Sequence, residues 1–153
     1  MKILEITKEK QEASKKLVKE TAKKAFPGEK NFTVVYAFLL RGLFIKSTAS
    51  NFIIGFNTER KELSLAQFNK SGDLIGDSID LCKDSIISIK TYKSGVVKIS
   101  NTETEKPIKV TVPAVLPDVA ELYDELPIEQ TDEARAFYAF IKAFPGPTKQ
   151  DGK

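Results

Sequence analysis

The stretch from Asp84 to Pro113, DSIISIKTYKSGVVKISNTETEKPIKVTVP, decides the fold class. Within it Ile87, Ile89 and Thr91 alternate with Ser88, Lys90 and Tyr92, and Ile108, Val110 and Val112 alternate with Lys109 and Thr111. A two-residue period belongs to a strand with one apolar and one polar face. KSGV (93–96) and NTETEKP (101–107) supply the Gly, Asn and Pro that tight turns need. The stretch therefore predicts three strands joined by two hairpins.

Upstream the texture is similar. FTVVYAFLL (32–40), NFIIGFN (51–57), ELSLAQFN (62–69) and LIGDSIDL (74–81) are short and rich in β-branched and aromatic residues. NTERKE (57–62) and NKSGD (69–73) punctuate them. Turns about every 8–12 residues predict an antiparallel sheet, as a barrel or a sandwich. FLLRGLFIKSTAS (38–50) fits either strand or a short helix.

Helices are expected at both ends. From Thr7 to Phe26, Ala13, Leu17, Thr21 and Ala25 recur every four residues, with Val18, Ala22 and Phe26 beside them. Thr7 is the expected N-cap, and lysines crowd the last turns, where the helix dipole favours cations. LPDVAELYDEL offers a turn or two with Val119, Leu122 and Leu126 on one side. TDEARAFYAFIKAF then reads as an amphipathic helix with Thr131 as N-cap and a stripe of Ala134, Phe137, Ile141 and Phe144. KAFPG closes both helices, at 24–28 and at 142–146. Lys suits the dipole, Phe docks the last turn and Pro-Gly stops the helix. With no similarity around the two copies, the repeat is punctuation.

Seven strands followed by one amphipathic helix resemble a pleckstrin-homology-like (PH-like) domain, and bacterial PH-like domains most of all. FIIGFNTERKELSL (52–65) is similar to their strand–Arg turn–strand unit. Asp84–Pro113 is similar to their Ile-rich strand, Gly turn and two further strands ending near proline. The resemblance covers about 32–144. It implies an α+β, mainly β fold: an antiparallel barrel closed by the C-terminal helix, here with an N-terminal helical extension. The domain organisation implied is a basic helix over 1–30, a PH-like domain over 31–146 and a disordered tail over 147–153. The family's closing helix often carries a Trp; this chain has none, and Phe137 or Phe140 takes that place. The family commonly binds phosphate headgroups near the first strand connection. The matching segment runs from Arg41 to Lys46, with Lys93 as a neighbour. The simpler reading of Arg41 and Lys46 is two solvated charges at a loop, and no Gly-rich P-loop adds backbone donors.

Composition narrows the chemistry. The chain has no His, which excludes His-based acid–base work, Ser-His-Asp and Cys-His nucleophiles and the usual zinc enzymes. One cysteine, Cys82, allows no internal disulfide; it is expected to be a partly buried structural thiol in a reducing, cytoplasmic compartment. No apolar run is long enough for a signal peptide or a membrane span. Asp73, Asp77, Asp80 and Asp84 lack EF-hand spacing and read as exposed carboxylates. No metal, cofactor or catalytic residue is expected.

The net charge of +3 hides an asymmetry. Residues 1–30 hold nine lysines and five glutamates, whereas 118–133 holds seven carboxylates and no base. A binding role follows, with a protein partner or a second copy as the expected occupant and an anionic membrane surface as another. Leu17, Val18 and Phe26 are the expected contact residues on the lysine helix. That helix is expected to meet an acidic protein surface, within the chain or in a second copy, before it meets lipid. Nucleic acid bound by the same helix is the alternative, disfavoured by the scarcity of arginine and of interleaved aromatics. An enzyme built on carboxylates and lysines is a further class, for which no spacing speaks.

Overall fold

The computed structural model describes residues 6–27, 31–41, 48–123 and 125–144. Every stretch expected to be extended is a strand. These are β1 (Thr33–Arg41), β2 (Thr48–Asn57), β3 (Glu62–Phe68), β4 (Leu74–Leu81), β5 (Ile86–Thr91), β6 (Val96–Asn101) and β7 (Ile108–Thr111). A short ribbon, β8 (Val115–Leu116) and β9 (Ile128–Glu129), follows. The helices are α1 (Lys8–Ala25) and α2 (Thr131–Ile141). The ambiguous segment 38–50 is strand on both sides of 42–47, which lies outside the described residues, as does the tail 147–153.

The fold is α+β, mainly β. The seven strands form one antiparallel sheet in the order β4-β3-β2-β1-β7-β6-β5, curled into a half-barrel. Five pairings are hairpins between consecutive strands; β1 meets β7 at Phe38↔Thr111. Asparagines set three of the turns. The Asn57 side-chain oxygen accepts from Arg60 N at 2.9 Å, that of Asn69 from Ser71 N and Asp73 N at 2.9 and 3.0 Å, and that of Asn101 from Glu103 N and Thr104 N at 2.8 and 2.9 Å. Gly95, at φ 96°, takes the left-handed position in the β5–β6 turn.

α2 fills the concave face. Ala134, Phe137, Phe140, Ile141 and Phe144 are all buried there, against Val35, Ile54, Phe56 and Val97 among others. The Phe56 ring lies 5.7 Å from that of Phe137 and 5.0 Å from that of Phe140. Thr131 is the first residue of α2 and not its cap; Gln130 holds the cap position without a capping side-chain bond. The reason is that the Gln130 side chain is engaged elsewhere, while Glu129 accepts from Thr131 N at 2.7 Å.

Gln130 joins the parts of the molecule. Its side-chain amide accepts from Tyr36 N at 2.9 Å and donates to Tyr36 O and to Pro113 O, both at 2.8 Å. It sits where β1 and the chain leaving β7 part company, and stands in for the missing strand partner. Gln130 is 2 % exposed, so its three partners would have no water in its place. A buried unpaired group costs about 1–3 kcal/mol. Gln130→Leu should therefore lower the unfolding free energy by about 3 kcal/mol or more in urea titrations. Gln130→Glu keeps the shape but removes the donors. Its deficit should shrink when the pH is lowered to about 4, where a carboxyl regains one proton to donate.

Candidate functional site

The convex face of the sheet is covered over β1–β3, and α1 is the cover. Val18 and Ala22 pack with Tyr36, Phe38, Ile53 and Phe68, beside Leu126 and Ile128 from the segment that carries β9. α1 therefore shares a core cluster with the strands, although the sequence sets 1–30 apart from 31–146. Its cap is as expected: Thr7 Oγ1 accepts from Lys10 N at 3.4 Å.

The lysine helix meets the acidic stretch within the chain. Thr7 N donates to Asp118 Oδ1 at 3.1 Å, Lys10 pairs with Glu121, and Lys15 pairs with Glu133 at 3.2 Å. The Glu121 carboxylate raises the Lys10 pKa. Such exposed pairs are screened by water and hold little, so they orient α1 more than they anchor it. Gln11 is more specific. Its amide donates to Glu129 O at 2.8 Å and accepts from Glu129 N at 2.5 Å, pairing with the free edge of β9 as a strand would.

The three residues expected to contact a partner mostly face the chain's own sheet. Val18 is 8 % exposed, and Leu17 is half-buried beside Gly72. Phe26 meets Phe32 edge-on, ring centroids 5.6 Å apart. Ala13, part of the expected stripe, is exposed. Gly55 makes room for the aromatic pair: a Cβ there would stand 2.6 Å from Phe32 Cδ2.

What α1 leaves open is a groove of about 400 Å³ between itself and the start of β1. Val18, Ala22, Phe26, Phe32 and Val34 form an apolar floor. Lys15, Lys19 and Lys23, one helical turn apart, form one wall. Among the described residues Lys19 and Lys23 have no ion-pair partner. The groove thus offers apolar area and positive charge to one ligand. Phe32 and Val34 were absent from the sequence-level candidates, because nothing in a strand's own pattern tells which face a distant helix leaves uncovered.

The anion site implied by the resemblance lies partly outside the described residues. Arg41 ends β1, paired with Thr48, and Lys46 lies outside the described residues. Thr111 faces Phe38 on β1 and Val96 on β6, so the β5–β6 turn that carries Lys93 lies towards the start of β1. Arg41 lies three residues beyond Phe38 in the other direction, so strand register separates it from Lys93. Cys82 is exposed rather than partly buried; hydrogen bonding from Ser85 lowers its pKa. Asp73, Asp77, Asp80 and Asp84 are exposed, and no cluster of ligating side chains occurs among the described residues. No helix among them is long and apolar enough to cross a membrane. Compared with protein-family models, curated proteins and solved structures, the chain matches none.

Two buried groups under α1 and its neighbours give separate tests of this interface. Thr21 is 1 % exposed, and among the described residues its hydroxyl has no hydrogen-bond partner. Thr21→Val replaces an unpaired hydroxyl by a methyl of similar size, and should raise stability by about 1 kcal/mol in thermal or urea unfolding. Glu125 is buried beside Tyr36 and Leu126, and burial raises its pKa. The folded state then holds its proton more tightly than the unfolded chain, so stability falls as pH rises through and just above the usual carboxylate range. Glu125→Gln should be more stable than the parent at neutral pH, with the gap closing in acid.

Proposed function

We propose that this chain is a non-catalytic binding domain of the PH-like kind, and that it engages an acidic, amphipathic segment of a partner protein through the groove beside α1. The groove carries the reading: an apolar floor of Val18, Ala22, Phe26, Phe32 and Val34 under Lys19 and Lys23, which no carboxylate of the described residues neutralises. The PH-like assignment draws support from the meander of seven strands and the helix in its concavity. A protein occupant is favoured over lipid because the apolar surface is recessed. Membrane insertion relies on large side chains that project, and α1 turns its own towards the sheet. The alternative of nucleic acid held by the lysine helix loses support, because Lys10 and Lys15 are already paired with Glu121 and Glu133.

Site-specific photo-crosslinking tests the proposal. A photoreactive residue in place of Lys19 should give one discrete protein adduct in cells that normally make this chain. Val34→Asp and Lys23→Glu should each abolish that adduct. Absence of any protein adduct, together with sedimentation on phosphatidylglycerol vesicles that Lys19→Glu abolishes, would move the role to the membrane surface.

A further inference from the structure

The convex face of β5–β7 carries a feature of its own. Strand register sets Lys90 opposite Lys98, and Lys98 opposite Lys109. The intervening residues Ile89, Ile99, Val97 and Val110 point into the core, so the three lysines share the outer face. Neighbouring strands lie about 4.8 Å apart, so the three lysines step evenly across the sheet at their backbone positions. α1 packs chiefly on β1, β2, β4 and β9, and among the described residues no helix packs on this face. Among the described residues no carboxylate pairs with any of the three. Like charges directly opposite on adjacent strands destabilise a sheet, so folding alone gives no reason for the row.

The rest of the face limits what could sit on it. Ser100 and Thr111 flank the row and can donate hydroxyl hydrogen bonds, and the Tyr92 ring lies 4.7 Å from the Lys90 ammonium. A protein interface needs an apolar centre and a membrane needs a cluster of side chains to insert; among the described residues the aliphatic side chains here, Val96 and the exposed Ile87 at the β5 irregularity, stand at opposite margins of the row and leave its middle polar. A spaced line of cations, hydroxyl donors and one aromatic ring suits a phosphate backbone with exposed bases.

We propose that the outer face of β5–β7 binds single-stranded nucleic acid, with Lys90, Lys98 and Lys109 on successive phosphates and Tyr92 against a base. This surface is separate from the groove beside α1. The test uses a dye-labelled oligothymidylate of about twelve nucleotides, a length suited to a single small domain. Its anisotropy is titrated with the full chain at several salt concentrations. Three phosphate contacts on a single strand predict a slope of about −2 for log affinity against log salt. The triple variant Lys90→Gln, Lys98→Gln, Lys109→Gln should lose affinity at least about tenfold and bring the slope close to zero. Its melting temperature should equal or exceed the parent's, because the repulsion is gone. Lys98→Gln alone should lose a smaller part of both affinity and slope. Lys19→Gln with Lys23→Gln should leave both unchanged. The proposal is overturned if the parent fails to bind at low salt or if the triple variant binds as the parent does. Phosphatidylglycerol vesicles capturing the parent through the same lysines, with the oligonucleotide left free, would overturn it as well.

Discussion

Two glutamine amides carry the connection between the helices and the sheet. Gln130 bonds both backbone groups of Tyr36 and the carbonyl of Pro113, and Gln11 bonds both backbone groups of Glu129. Each amide behaves as one residue of an extra strand. The result is a relay from α1 to β9 to β1, made of side chains where regular pairing stops. Apolar contact supplies most of the free energy in such a fold, but it is non-directional. The relay fixes where α1 lies on the sheet, and with it the line of the groove.

The sheet is covered unequally. β1–β3 have α2 on one face and α1 with the β9 segment on the other, whereas among the described residues β5–β7 have a core on one face alone. This difference was written into the residues. FTVVYAF and NFIIGF are apolar almost without interruption, as strands buried on both faces are, whereas IISIKTY and PIKVTV alternate. The strand positions, the turns at Asn57, Asn69 and Asn101, the Thr7 cap and the stripe of α2 were all legible because each depends on local chemistry. The same two textures separate the groove, which sits on the doubly covered half, from the lysine row, which sits on the open half.

What escaped the sequence depends on register and on distant partners. Gln130 lies in IEQTDE among polar residues and gives no sign that it is buried. Thr131 has the residue type of a cap, but the backbone turns one residue earlier because Gln130 and Glu129 bind elsewhere. Lys90, Lys98 and Lys109 are unremarkable as single solvent-facing residues; only the pairing of three strands lines them up. The stripe on α1 was visible, but its destination was not: an apolar stripe looks the same whether it covers its own sheet or another molecule.

The meeting of β1 and β7 has a kinetic side. All other pairings in the large sheet join neighbours in the chain, so β1–β4 and β5–β7 are each meanders of local contacts. Local contacts form early because little chain entropy is lost in closing them, whereas pairing β1 with β7 must bring together segments far apart in sequence. Gln130 cannot reach both Tyr36 and Pro113 until those segments are side by side. The barrier to folding should then lie at the docking of two preformed sheets, with the amide setting in the final stage. Substitutions at Gln130 would in that case act mainly by hastening the return to the unfolded chain, leaving the rate of forming each meander much as it was.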